Sequence, residues 1–345
     1  MTFWKRENEK TTRRDFVRRL AVGTYAVAVA GSMNACNDTP APMDTAAGQK
    51  YANYFHQIKY GKGQGGPGSA DSMFRMNGKD LNDRNTNFSF GYYSKPGSYG
   101  DEALVHPYDT CLAFVGLDPE KPDYLGAEIE ISLGENFEKY TFDVPSIVCV
   151  PKDLPFGPIV AKDVQTPYAH YEIGLAGEYS AKEMPVPANS ANSREHAELI
   201  KKLSDSAMGD VTKATGPGNA FWIAWPRARK LEDFNVNFSW GFYDGLGNWH
   251  REGFDPHVHV GDEFLVFVGL DPARPQYLGA EIDLYMGSEQ ELHTFDTPMV
   301  AVCPSMFVHA PIITKKVDDT FAFFLIRRDK GQMTKEKTPE GYPIQ

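Results

Sequence analysis

The chain has 345 residues, enough for two ordinary domains plus a leader, and its 41% hydrophobic content with 31 glycines and 24 prolines is that of a turn-rich globular protein. Its net charge is −11, and because residues 1–35 hold seven Lys/Arg against three Asp/Glu, the remainder carries −15. So acidic a body excludes nucleic-acid binding through phosphates, which needs a basic face, but leaves a small anionic substrate open, since a bound metal supplies local positive charge.

At the N-terminus, Thr12-Arg13-Arg14-Asp15-Phe16-Val17-Arg18 resembles a bacterial twin-arginine export signal, and the apolar run Leu20 to Gly31 follows it. That run is too short to span a bilayer as a helix, which takes about 20 residues. Residues 1–35 are therefore expected to be a signal peptide. Two processing sites compete: a lipoprotein-like box ending at Cys36, and Ala28-Val29-Ala30, which suits ordinary signal peptidase. The protein is expected in the periplasm or on the outer face of the cytoplasmic membrane, touching lipid only if Cys36 is acylated. Residues 36–65 read as a flexible tether rich in Pro, Ala, Thr and Asp.

From residue 66 the chain repeats itself. Leu81, Asp83, Asn85 and Asn87-Phe88-Ser89 recur 150 residues later as Leu231, Asp233, Asn235 and Asn237-Phe238-Ser239. After a three-residue insertion within Asp244 to Gly253, Phe114-Val115-Gly116-Leu117-Asp118-Pro119 recurs 153 residues later as Phe267 to Pro272. Tyr124 to Ile129 likewise recurs as Tyr277 to Ile282. The chain is a duplicated domain, with copies expected at 66–185 and 216–330. Each copy reads as short strands separated by Gly, Pro and Asp turns; Ala280 to Tyr285, for example, alternates polar and apolar residues. Between the copies, within 186–215, Ala197, Ile200, Leu203 and Ala207 lie at helical spacing and predict a linker helix over roughly Asn192 to Met208. Residues 331–345 read as a tail. Cys111, Cys149 and Cys303 lack metal-ligand spacing and are expected as buried free thiols.

The second copy contains His257-Val258-His259, then Glu263, and later Pro304 followed by His309. Residues two apart on a strand face the same way, so His257 and His259 share one space, and a tight turn at Gly261 returns Glu263 to the same wall. Three neutral imidazoles and one carboxylate suit a single divalent ion and leave coordination positions open. The pattern resembles the paired motifs of the cupin superfamily, although Met306 stands where the second motif has glycine. The resemblance implies an all-β protein of two jelly-roll barrels in tandem, the second holding one metal ion on His257, His259, Glu263 and His309. It favours Mn(II) or Fe(II) over Zn, Ni or Cu.

The first copy lacks the set, since Leu104, His106, Thr110 and Phe156 occupy the four positions. His106 is expected as a packed or hydrogen-bonded residue, and the copy's interior as filled or as lining an apolar pocket. In the insertion, His250 beside Trp249 and Arg251 is a candidate rim. The resemblance implies a metal-dependent dioxygenase or decarboxylase acting on a small carboxylate or hydroxylated organic molecule, with homo-oligomers formed through sheet edges or faces. A metal- or ligand-binding protein without catalysis, and a structural envelope protein, are the other readings. The sequence names no catalytic residue outside the ligands.

Overall fold

The computed structural model describes residues 49–62, 70–98, 100–187, 194–203, 216–330 and 336–345. The expected signal peptide, Cys36 and residues 37–48 and 63–65 of the tether lie outside these residues; the rest of the expected tether, 49–62, holds a 3-10 turn at Ala52–Tyr54 and a paired strand at Phe55–Gln57.

The described residues form four antiparallel sheets, two from each copy. In the first copy, sheet A runs in the order Ile200–Lys202, Ser146–Val150, Thr110–Gly116, Tyr168–Gly174, Asn87–Tyr93, Ser72–Met76. Sheet B of that copy runs Lys182–Met184, Ala103–Val105, Phe156–Val164, Ala127–Leu133, Glu138–Phe142, with Gly97–Ser98 also on Phe156–Val164. In the second copy, sheet C runs Phe55–Gln57, Met299–Cys303, Glu263–Val268, Phe321–Arg327, Asn237–Tyr243, Trp222–Ala224. Sheet D runs Gly247–Asn248, His309–Val317, Ala280–Met286, Glu291–Phe295.

Sheets A and C pack on each other. Phe88, Phe90 and Tyr171 of A meet Phe264, Trp240 and Phe324 of C within one core, with the Tyr171 and Phe324 ring centres 4.3 Å apart. The opposite face of A packs on B through Leu112, Phe114 and Val148 against Ile129, Ile131 and Phe142. Strands of A and C are therefore covered on both faces, and Thr110–Gly116, Tyr168–Gly174 and Glu263–Val268 are buried along their whole length. Strands with one wet face keep period two: Glu138–Phe142 alternates buried and exposed at every residue.

The copies are not the expected closed barrels or jelly rolls, because all four sheets are open. The linker helix is also absent: among the described residues no helix reaches seven residues, and Ala197–Leu199 is a single 3-10 turn leading into strand Ile200–Lys202. Residues 192–193 and 204–208 of the expected helix lie outside the described residues.

One arrangement explains both. Ile200–Lys202 pairs with Ser146–Val150 of the first copy, and Phe55–Gln57, which precedes the first copy, pairs with Met299–Cys303 of the second. The copies exchange their leading strands, so each large sheet uses its edge hydrogen bonds on a strand from the other copy's side of the chain. That edge is unavailable for closing a sheet on itself. The exchange is symmetric in detail: Leu203 N–H donates to Pro145 O at 2.8 Å, and Ile58 N–H to Pro298 O at 3.0 Å. The segment 197–203 thus finds backbone partners in a sheet, which an isolated short helix in water cannot match.

Cys111, Cys149 and Cys303 are buried free thiols, as the sequence implied.

Candidate metal centre

The centre forms at one end of the gap between sheets C and D. Glu263 and His309 are the first residues of strands in C and D respectively, and His257 is held beside His309 by an isolated bridge with both backbone hydrogen bonds at 3.1 Å. His259 follows two residues on, and its carbonyl accepts from Met306 N–H at 2.7 Å. Gly261 allows the turn to Glu263, since a Cβ there would stand 2.2 Å from Arg328 O.

The structure brings the four sequence-predicted residues together. Imidazole ring centres are 4.6 Å apart for His257–His309, 4.9 Å for His257–His259 and 5.2 Å for His259–His309. One nitrogen from each histidine lies within 4.8 Å of the others. Glu263 spans two of them, with Oε1 3.2 Å from His259 Nε2 and Oε2 2.9 Å from His309 Nε2. All four side chains are buried. Cys303, opposite Glu263 in the strand register, forms a further potential ligand group with Glu263 and His309. Burial holds its thiol well above the ordinary range, so it stands by as a neutral group.

The outer nitrogens decide which way the imidazoles present themselves. His257 Nδ1 is 3.2 Å from Asp255 Oδ1, His259 Nδ1 is 2.7 Å from Gln345 O, and His309 Nδ1 is 3.1 Å from Phe307 O. Asp255 Oδ1 and Phe307 O only accept, so Nδ1 of His257 and of His309 carries a proton and leaves Nε2 for an ion, whereas His259 Nδ1 lies between the acceptor Gln345 O and the donor Arg327 Nη1, 3.1 Å away. Asp255 also meets His250 Nδ1 at 2.8 Å. Burial opposes its charge, but hydrogen bonds from His250 and His257 outweigh burial and keep the carboxyl ionised well below its usual range.

Without an ion, protons mark how the set balances. Burial, then the neighbouring imidazoles, lower His257 well below the usual histidine range. Burial also lowers His259 against the pull of Glu263. For His309 burial acts downward too, but its hydrogen bond to the Glu263 carboxylate wins and raises it. Burial alone would raise Glu263, yet its two histidine partners lower it well below the usual carboxylate range. The centre thus keeps Glu263 ionised against a His309 imidazole that favours its protonated form, a place where a cation is stabilised. A buried three-histidine, one-glutamate set of this kind is consistent with a divalent metal site, with nitrogen and oxygen donors suited to Mn, Fe, Ni, Cu or Zn.

Three contributors escaped the sequence reading. Asp255 sits inside the motif, two residues before His257, with nothing in its spacing to mark it as a partner of that imidazole. Gln345 belongs to the expected tail, which instead packs on the centre, with Gln345 N–H donating to Val258 O at 2.9 Å. Arg327 closes its strand directly opposite Glu263 in register, is 3% exposed, and has a guanidinium Nη2 without a hydrogen-bond partner. Its repeat counterpart is Gly174, and that change was the available signal. Of the candidate rim, His250 is half-buried beside the centre and Arg251 is exposed, while Trp249 is a core residue stacked on Tyr243 at 4.2 Å.

These groups line a cavity of about 90 Å³, walled on its apolar side by Leu265, Ile312, Phe323 and Leu325. In the first copy His106 is packed as expected, with Nδ1 2.8 Å from Thr110 Oγ1. Of the two expectations for that copy's interior, a pocket is found: a larger cavity, about 370 Å³, opens where Leu104 and Phe156 replace histidines, lined by polar as well as apolar residues.

No protein-family model and no curated protein sequence matches the chain. Solved structures do resemble it. A variant of oxalate decarboxylase from Bacillus subtilis aligns with TM-score 0.52 at 9% identity, over 80% of this chain and 77% of that one. A second variant of the same enzyme aligns with TM-score 0.51 at 11% identity, over 81% and 78%. The fold is thus cupin-like and duplicated, with open sheets and one candidate metal centre in the second copy.

Proposed function

We propose that the protein is a metal-dependent enzyme that decarboxylates a small organic acid at the centre formed by His257, His259, Glu263 and His309. The observation that carries this reading is Arg327: a buried guanidinium with an unpartnered Nη2 lines the same small cavity as the ligand set. Its Nε pairs with Asp329 Oδ2 at 2.8 Å and its Nη1 lies 3.1 Å from His259 Nδ1, so Nη2 is the donor left over, and a carboxylate matches a guanidinium's planar donors. The structural likeness to oxalate decarboxylase suggests the reaction class.

A divalent ion there, Mn(II) or Fe(II) in preference to Zn, Ni or Cu, would supply Lewis acidity to an adjacent carboxyl oxygen. The chain's own residues supply the rest. Arg327 fixes one carboxylate, Leu265, Phe323 and Leu325 exclude water, and a cavity of about 90 Å³ admits only a few water-sized groups, so the substrate is small. The net change is loss of CO₂ and gain of one proton at the carbon it leaves. His250, half-buried and hydrogen-bonded to Asp255, is placed to exchange protons with solvent. Export by the twin-arginine route would deliver the protein folded around its ion, protecting a weakly held Mn(II) or Fe(II) from displacement by Cu or Zn. Acylation of Cys36 would then hold it at the membrane's outer face.

The test is CO₂ release from oxalate, malonate and pyruvate by Mn(II)-loaded protein, with metal content measured alongside. Turnover of at least one acid, abolished by metal removal, is expected. Full metal loading with no turnover, and tight reversible retention of an acid, would replace catalysis with binding. Zinc or copper filling the site of envelope-purified protein would overturn the metal preference.

A further inference from the structure

We propose that the first copy holds a second, metal-free binding site, for a small uncharged polyhydroxylated molecule such as a sugar or polyol, centred on Arg75 and Glu172. The site lies in the other copy from the metal centre and stands whether or not that centre holds an ion.

Its cavity, about 370 Å³, falls within the range of small-molecule sites, roughly 300–1,000 Å³. One wall is apolar, from Leu104, Leu112, Phe156 and Ile159. The other carries a row of polar residues in strict register across three neighbouring strands: Arg75 opposite Ser89, and Ser89 opposite Glu172. Paired positions in a sheet share a face, so the row presents itself to the cavity together. The repeat shows that the fold does not require these charges, because the counterparts of Arg75, Ser89 and Glu172 are Trp225, Ser239 and Leu325.

The row is half-satisfied. Arg75 Nη2 donates to Glu172 Oε2 at 2.9 Å, while Arg75 Nη1 and Glu172 Oε1 are buried with no hydrogen-bond partner. His106, 1% exposed, has Nε2 3.6 Å from that same Glu172 oxygen, also without a partner. Arg75 Nη1 is an orphan donor and Glu172 Oε1 an orphan acceptor approached only at 3.6 Å by His106 Nε2, both on side chains that line the cavity, and buried polar groups are ordinarily paired.

The missing partner must accept from Arg75 and donate to Glu172. A carboxylate only accepts, and it would face Glu172 and the nearby Asp101, Glu102 and Glu183. An ammonium only donates, and it would face Arg75. A hydroxyl does both, and two adjacent hydroxyls answer both atoms without adding charge. Phe156 and Tyr179, whose ring carries the Arg75 guanidinium carbon 4.1 Å over it, add aromatic lining for the carbon skeleton.

The experiment is calorimetric titration of the full chain with glucose, galactose, arabinose, myo-inositol and glycerol, with glycine, acetate and ethanolamine as charged controls. At least one polyol should bind saturably with a dissociation constant of about 1 mM or tighter. Glu172→Gln, which turns the orphan acceptor into a donor, should weaken it about tenfold or more. Leu104→Trp, which fills the cavity and leaves the polar row untouched, should abolish it, while metal content stays unchanged in both variants. Absence of saturable binding by every polyol overturns the proposal. So does binding confined to the charged controls, or polyol binding that survives Leu104→Trp.

Discussion

Replacing Asp255 tests whether the centre is organised from its outer nitrogens inward. Asp255 Oδ1 receives His257 at 3.2 Å and His250 at 2.8 Å, and its side chain is only 8% exposed. Asp255→Asn keeps an acceptor for His257 Nδ1–H but removes the charge that makes the imidazole a better donor to an ion. It also sets an amide N–H₂ where Oδ2 is buried without a partner. Asp255→Ala removes the acceptor itself and frees the His257 ring. Loss of such outer partners costs about 10–100-fold in metal affinity. The lower figure applies to Asn and the upper to Ala, or about 1.4 and 2.8 kcal/mol. Competition with a chelator, read by the electron paramagnetic resonance of free Mn(II), measures both. Thermal melting of the metal-free variants confirms that they remain folded. Wild-type affinity, within twofold, in folded Asp255→Ala would refute the claim that these hydrogen bonds orient the ligands.

Arg327→Leu should retain metal but lower kcat/KM for the acid about 100-fold or more, as loss of a charged donor at a reacting carboxylate does; full activity would remove Arg327 from the reaction. Met306, exposed and at φ 59, occupies left-handed backbone where glycine is at ease, so Met306→Gly should raise stability by about 0.5–1 kcal/mol in denaturant unfolding. Burial lowers His170 to about 3, so it stays neutral in the fold while the unfolded chain takes up a proton near pH 6.5. Its contribution is complete above pH 6.5 and is lost as pH falls toward 3, at up to about 1.4 kcal/mol per pH unit. His170→Phe, matching Phe323 of the other copy, should flatten that slope in unfolding measured from pH 4 to 6. Leu203→Ala should cost about 2–4 kcal/mol, because Leu203 is 2% exposed beside the exchanged strand; a loss below about 0.5 kcal/mol would show that the exchange adds little.

The sequence by itself determined what local geometry and internal repetition encode. Constant offsets exposed the duplication, and a period of two put His257 and His259 on one face. The turn at Gly261 brought Glu263 back to that face, and His309 arrived from its own strand. These are relations within short stretches, and the backbone enforces them wherever the stretch folds. The tertiary structure alone decided relations between distant segments. Phe55-His56-Gln57 and Ile200-Lys201-Lys202 share no identical residue, only an apolar-polar-polar order, because an edge strand is held chiefly by its backbone and leaves a weak side-chain signature. Those two strands take the edges of the large sheets, so expected barrels became open sheets and an expected helix became a strand. The apolar spacing of Ala197, Ile200 and Leu203 suits either a helix face or a strand docked on a core. Arg327 reaches Glu263 only through cross-strand register, and Gln345 reaches His259 only through the packing of a segment 86 residues further along the chain. The first copy's cavity was left open by the sequence, since Leu104 and Phe156 suit a filled interior and an apolar pocket alike. Volume depends on how far apart two sheets settle, and no single strand carries that distance.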